Sequence, residues 1–489
     1  MLRQLEQHIT PGAAADTELA EQAAAIFHCT YDAENGGFGR APKFPSAHNL
    51  LFLLEYGARE QDPVCLEMAE HTLLQMYRGG LFDHIGYGFC RYSTDERFLV
   101  PHFEKMLYDN ALLILAYCKA YTVTRKPLYR EIAGKTADYI LRELTDAEGG
   151  FYSAQDADSD GEEGKFYLLT PEEVCRLLGP GPGEQFNRQF GITAAGNFAG
   201  KNIPNRLDSD PEDDSLDGYL PQLRQYRRQR CQLHLDDKIL TAWNGLMIAA
   251  LCQLYQVSGE TRWLTAARKA EHFLRRELYP DGKLYASYRG GVRGKPGFLQ
   301  DYAGALYAEL ALYAATWDRE HLARAEQLCR QTMEEFLDPV DGGFFLYGSG
   351  GETLILRPKE TYDGAMPSGN SLMAWNLVRL WLLTGDPAYE QAGRRQLDFL
   401  AGAAASYPAG YTMYLRALLD YFEPPETITV VSEEAGVEPQ RLPSDAVVRV
   451  LPKPTAEYPL KNGKTTYYVC RNHCCYPPGN DLNRLLSEE

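Results

Sequence analysis

Between Gly79 and Asn110 the chain concentrates side chains that can move protons: Asp83, His84, Arg91, His102, Glu104, Lys105 and Asp109, with the phenol of Tyr108 among them. Carboxylates and imidazoles crowded into a partly dry cleft acquire different proton affinities, so one donates while another accepts. Asp83, His84 and His102 are therefore the first acid–base candidates, with Glu104 and the later pair Asp156 and Asp158 as carboxylate partners. Arg91, Lys105, Tyr108 and Asp109 are candidates for holding a substrate beside them. Groups of the same kind recur as Asp236, Lys238, Trp243 and Asn244, then Gln300, Asp301 and Tyr302, then Glu360, Tyr362, Asp363, Ser368 and Asn370. Among these, Asp236, Lys238, Trp243, Asn244, Gln300, Asp301, Tyr302 and Asn370 join the substrate-binding set. Tyr87, Phe89, Trp243 and Tyr302 offer flat faces to a sugar-like ligand whose hydroxyls the polar groups would fix. The competing reading is that many of these residues cap helices, as Asp236 or Ser368 at a helix start would.

Helices must carry these groups. Pro101 suits the first position of a helix, and at about 100° per residue His102, Lys105, Met106 and Asp109 then share one face. Beyond Asn110 the run ALLILAYCKAY is apolar nearly all round, which marks a helix buried on most sides. Comparable runs lie at 46–57, 101–121, 236–259, 297–317, 367–385 and 410–422. All but the last are followed by an amphipathic helix, and Gly-Gly-aromatic turns such as Gly149-Gly150-Phe151 punctuate the pattern. The opening helix at 17–32 supplies the outer partner that the last inner helix lacks, so six inner and six outer helices close into a ring. That ring covers residues 16–425, and the starts of its inner helices open on one side. An insertion at about 160–235 holds a strand-like Lys165–Leu169, a capped helix at Thr170-Pro171-Glu172-Glu173 and an acidic loop. The tail, 426–489, alternates β-branched residues and reads as a small α/β appendix.

Composition narrows the function. A net charge of −18, from 49 basic and 67 acidic residues, disfavours nucleic acid and anionic membranes. No apolar run approaches the ~20 residues that span a bilayer, and the start, MLRQLEQHITPG, lacks a signal-peptide core. A cytoplasmic protein is expected. The eleven cysteines, mostly within apolar helical stretches, read as reduced thiols. Asp156-x-Asp158-x-Asp160-Gly161 begins like a calcium loop, but Tyr167 stands where the bidentate Glu is needed. Cys470-x-x-His473-Cys474-Cys475 makes a poor zinc site, since adjacent cysteines rarely close one tetrahedron. Gly463-Lys464-Thr465 lacks the earlier Gly of a phosphate loop. No metal and no cofactor are expected.

The strings GGFGRAPKFP, GGLFDHIGYGFCRYSTDERFLVPHFEKMLYDNA, SAQDADSDGEEGKFYLLTPEEV, GNFAGKNIP, LDDKILTAWNGLMIAAL, FLQDYAGA and PSGNS follow one another in this chain. In that order they resemble the spermatogenesis-associated protein 20 family, also labelled thioredoxin-domain-containing proteins. The tail YYVCRNHCCYPP is similar to the family's C-terminal signature, with Cys470 and Cys475 at its paired positions. The resemblance implies a mainly α fold, an (α/α)6 toroid of the six-hairpin glycosidase and sugar-epimerase type. By fold kinship it implies a carbohydrate-active enzyme, epimerase/isomerase-like or glycoside hydrolase-like, working on a small sugar-like substrate. Family members usually begin with a thioredoxin-like domain, so that domain is expected to be encoded separately or lost. The alternative is a non-catalytic toroid that docks a separate thioredoxin-like protein or a peptide.

Overall fold

Leu107–Thr124 is buried at every position from Leu107 to Ala120, as a helix apolar on all sides must be. It is the fourth of a series: α1 (Glu18–Thr30), α2 (Ala47–Arg59), α3 (Pro63–Arg78), α4 (Leu107–Thr124) and α5 (Pro127–Glu143). α6 (Pro171–Leu178), α7 (Pro180–Gln189) and α8 (Leu220–Arg230) come from the insertion. Then follow α9 (Thr241–Ser258), α10 (Thr261–Phe273), α11 (Leu299–Thr316), α12 (Arg319–Phe336), α13 (Gly369–Thr384), α14 (Pro387–Ala404) and α15 (Thr412–Phe422). This computed structural model describes residues 12–350, 357–433, 446–471 and 474–487. No described helix is long and apolar enough to cross a membrane.

The chain divides into two compact units, residues 24–243 with 289–291, and the remainder. In the first, α2 packs on both α3 and α4, and α4 on α5. In the second, α11 packs on α12 and α13, and α13 on α14 and α15. Buried inner helices therefore alternate with amphipathic ones. Three amphipathic helices start on aspartate caps: Asp62, Asp318 and Asp386 each accept a backbone N–H of their own first turn.

The turns that end in Gly86-Tyr87-Gly88-Phe89 and Gly342-Gly343-Phe344 have a mechanism. Asn110, in the first turn of α4, accepts from Phe89 N at 2.7 Å and donates to Phe89 O at 3.0 Å and Met106 O at 2.8 Å. Asn370, in the first turn of α13, treats Phe344 in the same way, at 2.8 and 2.9 Å. The Gly-Gly-Phe turns at 36–38 and 342–344 each close on a lysine–aspartate ion pair. Lys43 reaches Asp32 at 2.6 Å and Gly36 O at 2.7 Å, and Lys359 reaches Asp338 at 2.7 Å and Gly342 O at 2.6 Å.

Three local expectations are corrected. Residues 101–106 are not helical: β2 (Pro101–His102) pairs with β1 (Tyr92–Ser93), and β3 (Lys105–Met106) pairs with β4 (Ala154–Gln155). Sheet partners on both sides take the backbone groups that a helix would use, and α4 starts only at Leu107. Lys165–Leu169 is not a strand: residues 164–167 turn, side chains satisfy the carbonyls of 165–168, and Leu169 makes a single bridge with Asn202. Arg230 donates to the oxygens of Lys165, Phe166 and Leu168 at 2.8–2.9 Å, and Arg227 to that of Tyr167 at 2.8 Å. Finally, Cys470 and Cys475 form a disulfide, so the thiols are not all reduced; the pairing matches the family positions. His473, part of the weak zinc reading, lies outside the described residues.

In the tail, Thr427–Val431 runs parallel to Val447–Leu451 and antiparallel to Thr466–Arg471, which pairs with Cys474–Cys475. Its apolar face, with Ile428, Val430, Val448 and Val469, packs around Trp317. Replacing Asn110 or Asn370 by Ala should orphan two buried backbone groups and cost about 2–4 kcal/mol. Urea unfolding checks this, and a loss below about 1 kcal/mol would show that the turns hold without the asparagines.

Candidate active site

The strand turns of residues 101–106 sort the side chains by alternation. Phe103 and Lys105 point inward and are 1% exposed, while His102 and Glu104 share the opposite, half-buried face. Two clusters result, one structural and one open.

The inner cluster is built on Asp83. Its Oδ2 accepts from Lys105 Nζ at 3.0 Å, and its Oδ1 from Arg227 at 2.8 Å and Ile85 N at 3.0 Å. Burial by itself would raise the pKa of Asp83, but Arg227 and Lys105 outweigh it and hold the carboxyl well below the usual range. Lys105 also donates to Tyr87 O at 2.7 Å and lies over the rings of Tyr139 and Tyr167 at 4.6 and 5.0 Å. The cavity beside this cluster, about 30 Å³, has room for a water rather than a sugar ring. His84 is pushed down to about 3 by burial and the Arg206 charge. It packs against Tyr77, Phe82 and Phe190, with Nε2 3.2 Å from Gly79 O. Asp83 and His84 were the expected acid–base pair; the first stays ionised and the second stays neutral, so Lys105 with them belongs to the core.

The open cluster gathers His102, Glu104, Arg91, Tyr108 and Asp109. His102 Nδ1 lies 2.7 Å from Glu163 Oε1, and its Nε2 faces Glu104 Oε2 at 3.6 Å. Arg91 grips the same Glu104 oxygen at 3.1 Å and donates its backbone N–H to Glu104 O at 2.8 Å. Behind them lies Asp109, 7% exposed, whose Oδ2 has no hydrogen-bond partner. Burial lifts its pKa well above the ordinary value, and the Glu104 charge adds to the rise; Arg91 and the Tyr108 hydroxyl pull back but lose. Asp109 therefore holds its proton above the ordinary carboxylate range. Burial, with the nearby Asp109, pushes Tyr108 up to about 12, and its ring meets Trp243 edge-on at 4.8 Å.

Asp156 and Asp158, expected as carboxylate partners, are exposed. The carboxylate that meets His102 is instead Glu163, from the hairpin of β5 (Asp158–Ser159) and β6 (Glu162–Glu163). Only its place in the same acidic string hinted at it. Asp236, in β7 (Leu235–Asp236), pairs its backbone with Ala154 and its carboxylate with Lys238 at 3.2 Å.

The remaining expected residues lie in the second unit, in the first turns of its helices. Asn244 is fully buried in α9. Asp301 accepts from Phe298 N at 2.9 Å, and Gln300 donates to Pro367 O at 3.3 Å. Tyr302 is buried against Phe336, its hydroxyl accepting from Leu284 N at 3.4 Å. Asn370 pins the Phe344 turn. Of the flat faces expected, Phe89 and Tyr302 are buried and unavailable to a ligand.

Asp363 is a second perturbed acid. Burial lifts it to about 6, against hydrogen bonds from Ser368 N at 2.8 Å and Met413 N at 2.9 Å. Between the ordinary carboxylate range and about pH 6 the native state keeps a proton that the unfolded chain has released. The stability this contributes is complete below about pH 4 and is lost as pH rises through 6.

No family model matches the chain. Human spermatogenesis-associated protein 20 is 33% identical over 93% of this chain and 67% of its own length. The rat protein of that name is 37% identical over 73% of this chain and 52% of its own. The chain thus spans between half and two thirds of the curated relatives it matches. A solved D-mannose isomerase matches with TM-score 0.55 at 12% identity, covering 84% of this chain and 98% of that one. A GH76 alpha-mannanase from Bacteroides thetaiotaomicron matches with TM-score 0.53 at 11% identity, covering 83% and 95%. Likeness at that identity shows the fold: a mainly α, six-hairpin (α/α)6 toroid with a small sheet-bearing C-terminal part.

Two outcomes follow. Asp83→Ala, which leaves two buried cations unmatched, should cost about 3–5 kcal/mol in urea unfolding; a loss under 1 kcal/mol would return Asp83 to the list of functional candidates. Asp363→Asn should remove roughly 3 kcal/mol of the fall in stability between pH 4 and 7. An unchanged pH slope would mean that Asp363 titrates normally.

Proposed function

The chain belongs to the spermatogenesis-associated protein 20 family, and from that premise and the open cluster we propose that it is a carbohydrate-active enzyme of the isomerase or epimerase type. The observation that carries this reading is Asp109, a buried carboxyl with one oxygen unpartnered, which holds its proton under the charge of the Glu104 that faces His102. Enzymes that shift a proton at a sugar need one group to take it from carbon and another to protonate oxygen. His102, with Nδ1 held by Glu163, is the base through Nε2. Asp109 is the acid, delivering its proton to the carbonyl oxygen as the C–H bond alpha to it breaks. Arg91 and Glu104, locked to each other, orient hydroxyls and keep His102 in place. Tyr108 and Trp243 supply an aromatic wall.

The names of the fold relatives, a mannose isomerase and an alpha-mannanase, support a sugar as the substrate class. Hydrolysis of a glycoside is the other sugar chemistry open to this set, with Asp109 protonating the leaving oxygen. A toroid that only docked a thioredoxin-like protein or a peptide would have no use for a buried carboxyl that keeps its proton.

Incubation with mannose, glucose or fructose in deuterium oxide should wash solvent deuterium into the carbon beside the carbonyl. His102→Gln and Asp109→Asn should each slow this by about 10²–10⁴-fold. Activity should fall as pH rises through the lifted pKa of Asp109, since the acid is then spent, and Asp109→Asn should lack that basic limb. No exchange into any of these sugars, and no new reducing ends from glycosides, would sink the reading.

A further inference from the structure

The cavity beside the Asp83 cluster carries a charge that its own residues leave unbalanced. Lys105, Arg142, Arg224, Arg227 and Arg228 line it, against the carboxylates of Asp83 and Glu143. Five cations to two anions reverses the chain as a whole, where 67 acidic residues outnumber 49 basic ones. Four of the five are matched. Asp83 takes Lys105 and Arg227, and Glu143 takes Arg142 at 2.7 Å and Arg228.

Arg224 is the exception. It precedes Arg227 and Arg228 by three and four residues on α8, so the three share one face of that helix. Among the described residues its guanidinium has no hydrogen-bond or ion-pair partner, and it lies over the ring of Tyr87 at 5.1 Å. Asp217, which acts on it from a distance, is already engaged by Lys135 at 3.4 Å and Arg206 at 3.7 Å. The Nε–H groups of Arg224 and of Arg227, itself 1% exposed, are both buried without an acceptor. Burial and the Arg142 charge pull the pKa of Arg224 down. A guanidinium nevertheless keeps its proton, so it cannot shed the charge as a lysine or histidine would.

We propose that this cavity is a binding site for one small inorganic monoanion of chloride size. Its volume, about 30 Å³, suits a particle close to a water molecule and is too small for a phosphate. A water could accept from the two free N–H groups but would leave the surplus charge in place, whereas an anion answers both. The site is separate from His102 and Asp109 and does not depend on the sugar reading.

Equilibrium dialysis of the full chain against radiolabelled chloride, with sodium gluconate holding the ionic strength constant, tests this. One saturable chloride per chain is expected. Arg224→Gln should weaken it at least about tenfold, and Arg228→Gln, which removes a half-exposed guanidinium held by Glu143, should weaken it less. In gluconate alone, Arg224→Gln should unfold in urea no earlier than the wild type, since the side chain it removes has no partner to lose. Absence of saturable chloride, or an affinity untouched by Arg224→Gln, would overturn the assignment. So would a loss of stability in gluconate, which would show that Arg224 is already paired.

Discussion

One buried carboxylate governs the geometry of the site. Taking Asp83, Lys105 and Arg227 out of water costs several kcal/mol per ion, and the arrangement survives because every charge is met. Both oxygens of Asp83 are used, and the excess positive charge falls on the rings of Tyr139 and Tyr167 and on backbone carbonyls. Lys105 must point inward to join this cluster. On an extended strand its neighbour Glu104 and, two residues before that, His102 must then face outward. Arg227 does the complementary work for the insertion: with Arg230 it binds the carbonyls of residues 165–168. That docks the hairpin whose Glu163 reaches His102.

The buried helices are handled by a repeated device. A helix apolar on all sides has no preference of its own for rotation or for where it begins. Asn110 and Asn370 remove that freedom by clasping the backbone of Phe89 and Phe344. The lysines closing the Asp32 and Asp338 turns are buried and ion-paired for the same purpose. These polar residues in an apolar setting lock conformation, since each leaves no hydrogen bond open that another arrangement could satisfy equally well.

Asp109 is where opposing effects have to be weighed. It lies in the first turn of α4, where the helix dipole favours an anion by about 0.3–1 kcal/mol. Arg91 also favours the charged form. Full burial works the other way and can move a carboxyl by several pKa units, and the Glu104 charge pushes in the same direction. Burial wins, and the acid keeps its proton above the ordinary carboxylate range. Asp83 has the same burial but two cations in contact, and there the balance reverses. Two equally buried aspartates, Asp83 bonded to Lys105 of β3 and Asp109 just beyond that strand, are thus driven to opposite states by their partners.

Composition and periodicity were enough to read the alternation of buried and amphipathic helices, the Gly-Gly-aromatic turns and the Thr170 capping box, because these depend on neighbours within about one turn or one hairpin. The family strings added the Cys470–Cys475 pairing. The same local signals concealed how the two clusters separate. PHFEK alternates with period two, yet its inward Lys105 looks polar, so the run was read as the first turns of a helix. Asp83 and His84 have the composition of a catalytic pair, and only tertiary packing turned one into an ion-paired core residue and the other into a neutral ring. Asp83 meets Arg227 across 144 residues, and His102 meets Glu163 across 61. Contacts of that range leave no periodic trace in the chain, since they arise when separately folded pieces bury charge against one another.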